Sequence, residues 1–455
     1  MSVSRVIGEG TYGCVHKPSL TCKRKKVDYK NKISKVMKTK EAAIELNEYK
    51  NIAKVDENKE FYLGNPIKCA MNIKNANLRS VEKCKNADTL LKQLDQVSLL
   101  VMNDGGITME EFADKVEKMH DNPDNVEKIE RFWIEVHRLF RGLKVFIDNG
   151  IVHHDLKPQN IVYNEETHRL NFIDFGLMTS KKNIIKKTAK SDYYLAKYHW
   201  SYPFEIRFMN KKKYLDFVQK TEKEKQEYYT DIIAGFDAKE DVSSTNAMRT
   251  FFYFISKPKH SHNENETMLT LFFEDFYRML VHELNDKHKY REFLEKCIDT
   301  IDIYGTGIGL FYVLSRSLHL LPKRMIEELT ELCYFMVTPD LNKRFTIDMV
   351  LNRYELILKD SGLLNKYNIH FENHQIIEGI SIPPAVNQDI QSIKREHLAI
   401  SETDRNNVVF ANNKVCPPGK EYKNTTRRCV NICKDGYVRN AAFKCVKNKT
   451  AKKRA

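Results

Sequence analysis

The stretch IVHHDLKPQNIVYNEETHRLNFIDFGL, residues 151–177, restricts the fold more than any other part of this chain. Two short apolar runs, IVY at 161–163 and LNFI at 170–173, flank the turn-like NEETHR and read as the strands of a hairpin. A hairpin returns the chain to the end from which it set out. Asn160, just before the first strand, and Asp174, just after the second, are therefore expected at one open end. The preceding loop carries Asp155, Lys157 and Pro158 to the same edge. Upstream, residues 126–149 keep apolar side chains at helical spacing until Gly150 stops them, which predicts a helix feeding the loop.

This collection of groups suits phosphate chemistry. Asp174 and Asn160 offer hard oxygen ligands for Mg²⁺. Asp155, five residues before Asn160, is placed to accept or orient the proton of an incoming hydroxyl, and Lys157 to offset charge on a moving phosphoryl group. Pro158 pins the loop between them.

The N-terminus offers a matching half. VIGEGTYGCVHK sets Gly8, Gly10 and Gly13 at G-x-G-x-x-G spacing between apolar patches. Glycines let backbone N–H groups approach a phosphate closely. A dinucleotide-binding turn would lead into a helix, but HKPSLTCKRKK follows, so a strand–turn–strand flap is expected over Ile7, Gly8, Glu9, Gly10, Thr11, Tyr12, Gly13, Cys14 and Val15. Lys35 lies in the short strand NKISKVMK, where a phosphate and a carboxylate partner would make a buried lysine tolerable. Of Glu41, Glu45 and Glu48 in the following helix, Glu48 is the chosen partner, with Leu46 beside it and Ile52 a turn on. VSLLVMNDGG reads as a buried strand ending at Met102, then a hinge.

In this order the segments resemble eukaryotic-type serine/threonine protein kinases over roughly residues 1–360. GEGTYGCV resembles the glycine-rich loop, Lys35 with Glu48 the nucleotide-positioning ion pair, HHDLKPQN the catalytic loop and DFG the metal-binding turn. DIYGTGIGLFYVL resembles the helix whose first aspartate, here Asp302, supports the catalytic loop. Arg344 matches the arginine that pairs with the glutamate of the A-P-E turn, here Glu205 of YPFE. The resemblance implies an α+β, two-lobed protein-kinase-like fold, with a β-rich N-lobe over 1–102, a helical C-lobe over 103–365 and a small cysteine-containing C-terminal module. It implies transfer of the γ-phosphate of ATP, with Mg²⁺, to Ser/Thr hydroxyls of protein substrates; Lys157 goes with that acceptor class. A scaffold that has lost catalysis and a small-molecule phosphotransferase remain the alternatives.

Three departures stand out. His154 replaces the arginine that in many kinases grips a phosphorylated activation loop, and a neutral imidazole cannot reproduce a permanent bidentate grip. Activation without phosphate in residues 177–201 is therefore expected, despite Thr179, Thr188 and Ser191. Pro203 in YPFE falls one position early. Residues 206–301 form a long insertion, helical in its second half and broken by SKPKHSHNENET.

The formal charge is +14, yet thirteen Lys or Arg against two acids place +11 of it after residue 411. Such a tail is mostly solvated, so specific nucleic-acid binding is not expected. Residues 366–411 read as a linker. Residues 412–455 repeat a two-cysteine unit, CPPGKEYKNTTRRCVN then CKDGYVRNAAFKCVK. These are similar to the adaptor repeats of nucleocytoplasmic large DNA virus proteins, which implies an iridovirus-like kinase whose tail meets a protein partner. Disulfide pairing within each repeat and Zn²⁺ binding both remain open, although no C-x₂-C knuckle occurs. The six other cysteines, Cys14, Cys22, Cys69, Cys84, Cys297 and Cys333, are scattered and read as reduced thiols of an intracellular protein. No run approaches the roughly 18 apolar residues of a membrane span. The host cytoplasm is the expected location, with virions the other place open to it.

Overall fold

The computed structural model describes residues 4–10, 13–193, 201–235, 271–372 and 374–378, and in the tail 420–423, 428–431, 433–434, 437–439 and 444–447. Two compact units divide the chain, Met1–Ile382 and Pro383–Ala455.

The first unit begins with a five-stranded antiparallel sheet built from β1 (Arg5–Gly10), β2 (Gly13–Lys17), β3 (Lys32–Lys38), β4 (Ile67–Ala70) and β5 (Val97–Asn103), in the order β1-β2-β3-β5-β4. The pleat sorts the side chains of β3 to two faces. Lys35 and Met37 face helix α1 (Thr39–Val55), where Met37, Ala42 and Leu100 pack together. Val36 faces the other way, into a cluster with Leu99 and Val101 that is covered by helices α2 (Asn75–Val81) and α3 (Ala87–Leu91).

Two cysteine pairs lie on that second face. Cys14 bonds to Cys84 and Cys22 to Cys69, with Cα separations of 6.1 and 5.8 Å. The expectation of reduced thiols is thus corrected for these four, while Cys297 and Cys333 are free and buried. Partners 70 and 47 residues apart meet only because the sheet brings them together.

The later part is largely helical. The predicted helix over 126–149 runs Pro123–Asp148; Asn122 caps it, accepting from the Asn125 amide, and Pro123 supplies a preset first turn. Its apolar face, including Phe132, Trp133, Phe140 and Phe146, is buried. Helix Tyr290–Ser317 runs through the core and packs on Lys323–Val337, while Ile347–Asp360 packs on Lys323–Val337 and Pro123–Asp148. The stretch Lys287–Leu320 is long and apolar enough to cross a membrane, but here that apolar surface lies buried in the protein core. Within the insertion, residues 222–235 and 271–278 are helical; its polar break lies outside the described residues.

The chain stays in the first unit past 365. Strand Ile369–Glu372 pairs with Gln375–Glu378, and Phe371 stacks on His137 at 4.5 Å between ring centres. The stretch after 365, read as a linker, thus belongs to the first unit through this hairpin, with Phe371 buried against His137 more than two hundred positions upstream. In the second unit, hairpins Lys420–Lys423 with Arg428–Asn431 and Tyr437–Arg439 with Cys445–Lys447 follow the two sequence repeats. Cys433 is disulfide-bonded to Cys445, within one repeat; Cys416 lies outside the described residues.

An antiparallel N-terminal sheet followed by a largely helical part is consistent with a protein-kinase fold.

Candidate active site

The predicted hairpin forms from Ile161–Asn164 and Arg169–Phe172, paired from Ile161↔Phe172 to Asn164↔Arg169. The Ile173 amide donates to the Asn160 carbonyl at 3.0 Å, so Asn160 and Asp174 flank one open end. Two residues here hold left-handed backbone, His154 at φ 71° and Asp174 at φ 60°. Such strain persists only where the surroundings impose it. For His154 the imposing group is Asp302, whose carboxylate accepts from the His153 amide at 2.6 Å and the His154 amide at 2.8 Å. Burial pushes the Asp302 pKa up to about 6, although both amides pull it down. Gly305 lets this helix abut the loop, since a Cβ there would overlap the Leu156 carbonyl.

Asp155 is held from two sides. Lys157 Nζ donates to both its carboxylate oxygens at 2.9 Å, and Asn160 Nδ2 donates to its carbonyl at 2.7 Å and its Oδ2 at 2.9 Å. With its nitrogen so engaged, Asn160 presents Oδ1 as the atom able to meet a metal.

From the sheet, Lys35 Nζ donates to Glu45 Oε2 at 2.8 Å and lies 3.5 Å from Asp174 Oδ1. Burial alone would lower the lysine pKa; Asp174 and Glu45 outweigh it and hold the ammonium form. Desolvation pushes Asp174 upward in turn, but Lys35, His153 and Lys157 keep its carboxyl below the usual range. Phe175, 1% exposed, sets its ring edge-on to Tyr49 of α1 at 5.2 Å and against His153 at 5.1 Å, joining sheet-side helix and loop.

The ion pair corrects the sequence reading: the carboxylate on Lys35 is Glu45, not Glu48. Ala42, Glu45, Tyr49 and Ile52 form the buried stripe of α1, whereas Glu48 lies off it and accepts from Asn51 Nδ2 at 3.0 Å. Extending the apolar stripe back from Ile52 through Tyr49 would have reached Glu45.

The flap forms from β1 and β2, with Gly8 opposite Val15, Glu9 opposite Cys14 and Gly10 opposite Gly13. Gly13 is required because a Cβ would overlap the Val36 carbonyl on β3. Ile7 is 38% exposed and Val15 pairs with Lys35 in the ladder. Cys14 does not join them: its side chain is buried on the opposite face, among residues packed beneath α2 and α3. Thr11 and Tyr12 lie outside the described residues.

The segment after the DFG turn brings in residues that the sequence reading missed. His154 stacks on Tyr193 and hydrogen-bonds its hydroxyl, while the Tyr202 hydroxyl donates to the His154 carbonyl at 2.9 Å. Nothing in the spacing of three such residues announces this contact. Glu205 and Arg344 form an ion pair with both side chains wholly buried, and Arg344 Nε also donates to the Thr338 carbonyl.

No protein family's sequence profile matches the chain. Short stretches are similar to protein kinases. One is 38% identical over 61 residues to mitogen-activated protein kinase p38a of Drosophila melanogaster, covering 13% of this chain and 16% of that protein. Another is 43% identical over 53 residues to a probable cell division control protein 7 homolog 2 of Encephalitozoon cuniculi, covering 12% of this chain and 14% of the relative. The same identity and coverage hold for homolog 1 of that organism. The chain thus spans about a seventh of the curated relatives it matches, a distant and partial similarity to protein kinases. Nothing in these matches supports the viral affiliation or the repeat character read from the tail.

Proposed function

We propose that the chain is an ATP- and Mg²⁺-dependent protein serine/threonine kinase with a β-rich N-lobe and a helical C-lobe. The observation that carries this reading is the meeting of Lys35 with Asp174 across the junction of sheet and helices, beside an Asp155 oriented by Lys157 and Asn160.

The donor set fits the metal: Asp174 carries an ionised carboxylate and Asn160 a free amide oxygen, both hard ligands, and Mg²⁺ held there would neutralise phosphate charge. Lys35, anchored by Glu45, positions phosphate oxygens. Ile7 and Val15 supply an apolar roof for a base. Asp155 orients the acceptor hydroxyl and takes its proton at a carboxylate oxygen, while Lys157 balances the charge that develops beside it. The Glu205–Arg344 pair fixes the segment on which a peptide would lie.

The test is Mg²⁺-dependent transfer of labelled phosphate to generic protein substrates. Asp155→Ala should lose on the order of 10²–10⁴-fold in rate. Preferential labelling of sugar or antibiotic hydroxyls would move the assignment to a small-molecule phosphotransferase. Absence of transfer by wild type and variant alike would make the chain a scaffold.

A further inference from the structure

Metal-ligating side chains also converge on the face of the sheet turned away from Lys35. Cys14 and His16, two residues apart on β2, point to one face, and Cys84 reaches them from the turn between α2 and α3. Their ligand atoms all lie within 4.8 Å of one another, and all three residues are buried. His16 Nε2 is 3.2 Å from Cys14 Sγ and 3.5 Å from Cys84 Sγ. Its Nδ1 has no hydrogen-bond partner among the described residues, and Val36, Val81, Leu90 and Leu99 belong to the same core cluster as the two cysteines. A disulfide needs no imidazole beside it; among the described residues the Cys22–Cys69 pair has no such histidine. A fully buried ring with one nitrogen within 3.5 Å of two sulfurs and the other without a partner needs another explanation.

We propose that in their reduced form Cys14 and Cys84, together with His16, bind Zn²⁺ in a structural site that ties the glycine flap to the α2–α3 segment. Two thiolates and an imidazole form a ligand set that selects zinc over the harder divalent ions. Tetrahedral bonds of about 2.3 Å to sulfur set the two sulfurs roughly 3.8 Å apart. With the Cα atoms 6.1 Å apart, side-chain rotation suffices to open the pair that far. Glu9 stands opposite Cys14 in the ladder, but its carboxylate accepts from the Lys85 amide at 2.6 Å and pairs with Lys85 Nζ at 3.4 Å, so it would have to leave both contacts to take the fourth position. The chemistry balances simply. A thiol reductant gives two electrons and two protons to the Cys14–Cys84 bond and is itself oxidised to a disulfide; Zn²⁺ then displaces both thiol protons to solvent.

The experiment uses the full chain, purified with a phosphine reductant and no chelator, and measures zinc by elemental analysis. About one zinc per chain is expected, retained in a Cys22→Ser/Cys69→Ser variant and in a variant with all four tail cysteines changed to serine. Cys14→Ser/Cys84→Ser and His16→Asn should each lose it. Because those variants remove buried groups, the wild type is also alkylated with and without zinc, and zinc should shield Cys14 and Cys84 but not Cys22 and Cys69. Co²⁺ in place of zinc should give thiolate charge-transfer absorption in the wild type. Zinc-free reduced wild type, zinc unaffected by losing Cys14 and Cys84, or alkylation of both cysteines regardless of zinc would each overturn the site.

Discussion

The hydroxyl of Tyr193 lies 2.5 Å from Nε2 of His154, with the two rings stacked at 5.7 Å between centres. Burial lowers the His154 pKa to about 4, so the ring is neutral at physiological pH. A neutral, already occupied imidazole offers nothing for a phosphate to grip. The contact instead links the catalytic loop directly to the segment that follows the DFG turn. Phosphatase-treated enzyme should therefore keep its transfer rate. A collapse that rephosphorylation of residues 177–201 restores would defeat this reading.

Tyr193→Phe removes that hydroxyl and leaves a buried ring nitrogen unpaired. The expected cost is about 1–3 kcal/mol, read as a lowered chemical-denaturation midpoint. Tyr202→Phe, which takes the donor from the His154 carbonyl, should fall at the lower end of the same range.

The reassigned ion pair separates two glutamates that the sequence alone does not distinguish. Glu45→Gln should lower the phosphoryl-transfer rate by about 10²-fold, since Lys35 then loses the group that aims it. Glu48→Gln, which leaves an amide oxygen still able to accept from Asn51, should leave the rate near that of wild type. Equal losses would return the pairing to question.

Acid should destabilise the fold through the loop histidines. His153 and His154 both have folded pKa values of about 4 against 6.5 in an unfolded chain, burial being the main cause. Between those values the unfolded state binds protons that the folded state refuses. Their contribution is therefore complete above pH 6.5 and lost as pH falls through 4, roughly 3 kcal/mol for each residue. Asp302, raised to about 6, acts in the opposite sense over about pH 6 to 4 and offsets part of the loss. Denaturant midpoints measured across that range should fall toward acid, and His154→Asn should flatten the slope.

Glu205→Ala should cost about 3–5 kcal/mol, because it strands the Arg344 charge in a site of zero exposure. A denaturation midpoint within error of wild type would show that the pair is not the anchor described here.

Much of the site was legible because its groups are close along the chain. Asp155, Lys157, Asn160 and Asp174 lie within twenty residues, and a hairpin is local enough to be read from two apolar runs around a turn. Lys35 was legible as a lysine inside an apolar strand. Its partner was misread as Glu48, because the choice among Glu41, Glu45 and Glu48 depends on the angle at which α1 meets the sheet. That angle is fixed by the packing of Ala42, Tyr49 and Ile52 and not by spacing.

Local pattern thus determined the hairpin, the flap, the helix entering the loop and the kinds of groups brought together. Tertiary structure alone decided which glutamate meets Lys35, that Cys14 turns away from the flap toward Cys84, that His154 meets Tyr193, and that the first unit continues to Ile382. The physical reason is common to all four. Each joins residues whose proximity is set by burial of distant apolar surfaces, and burial is a property of the assembled core that no single segment encodes.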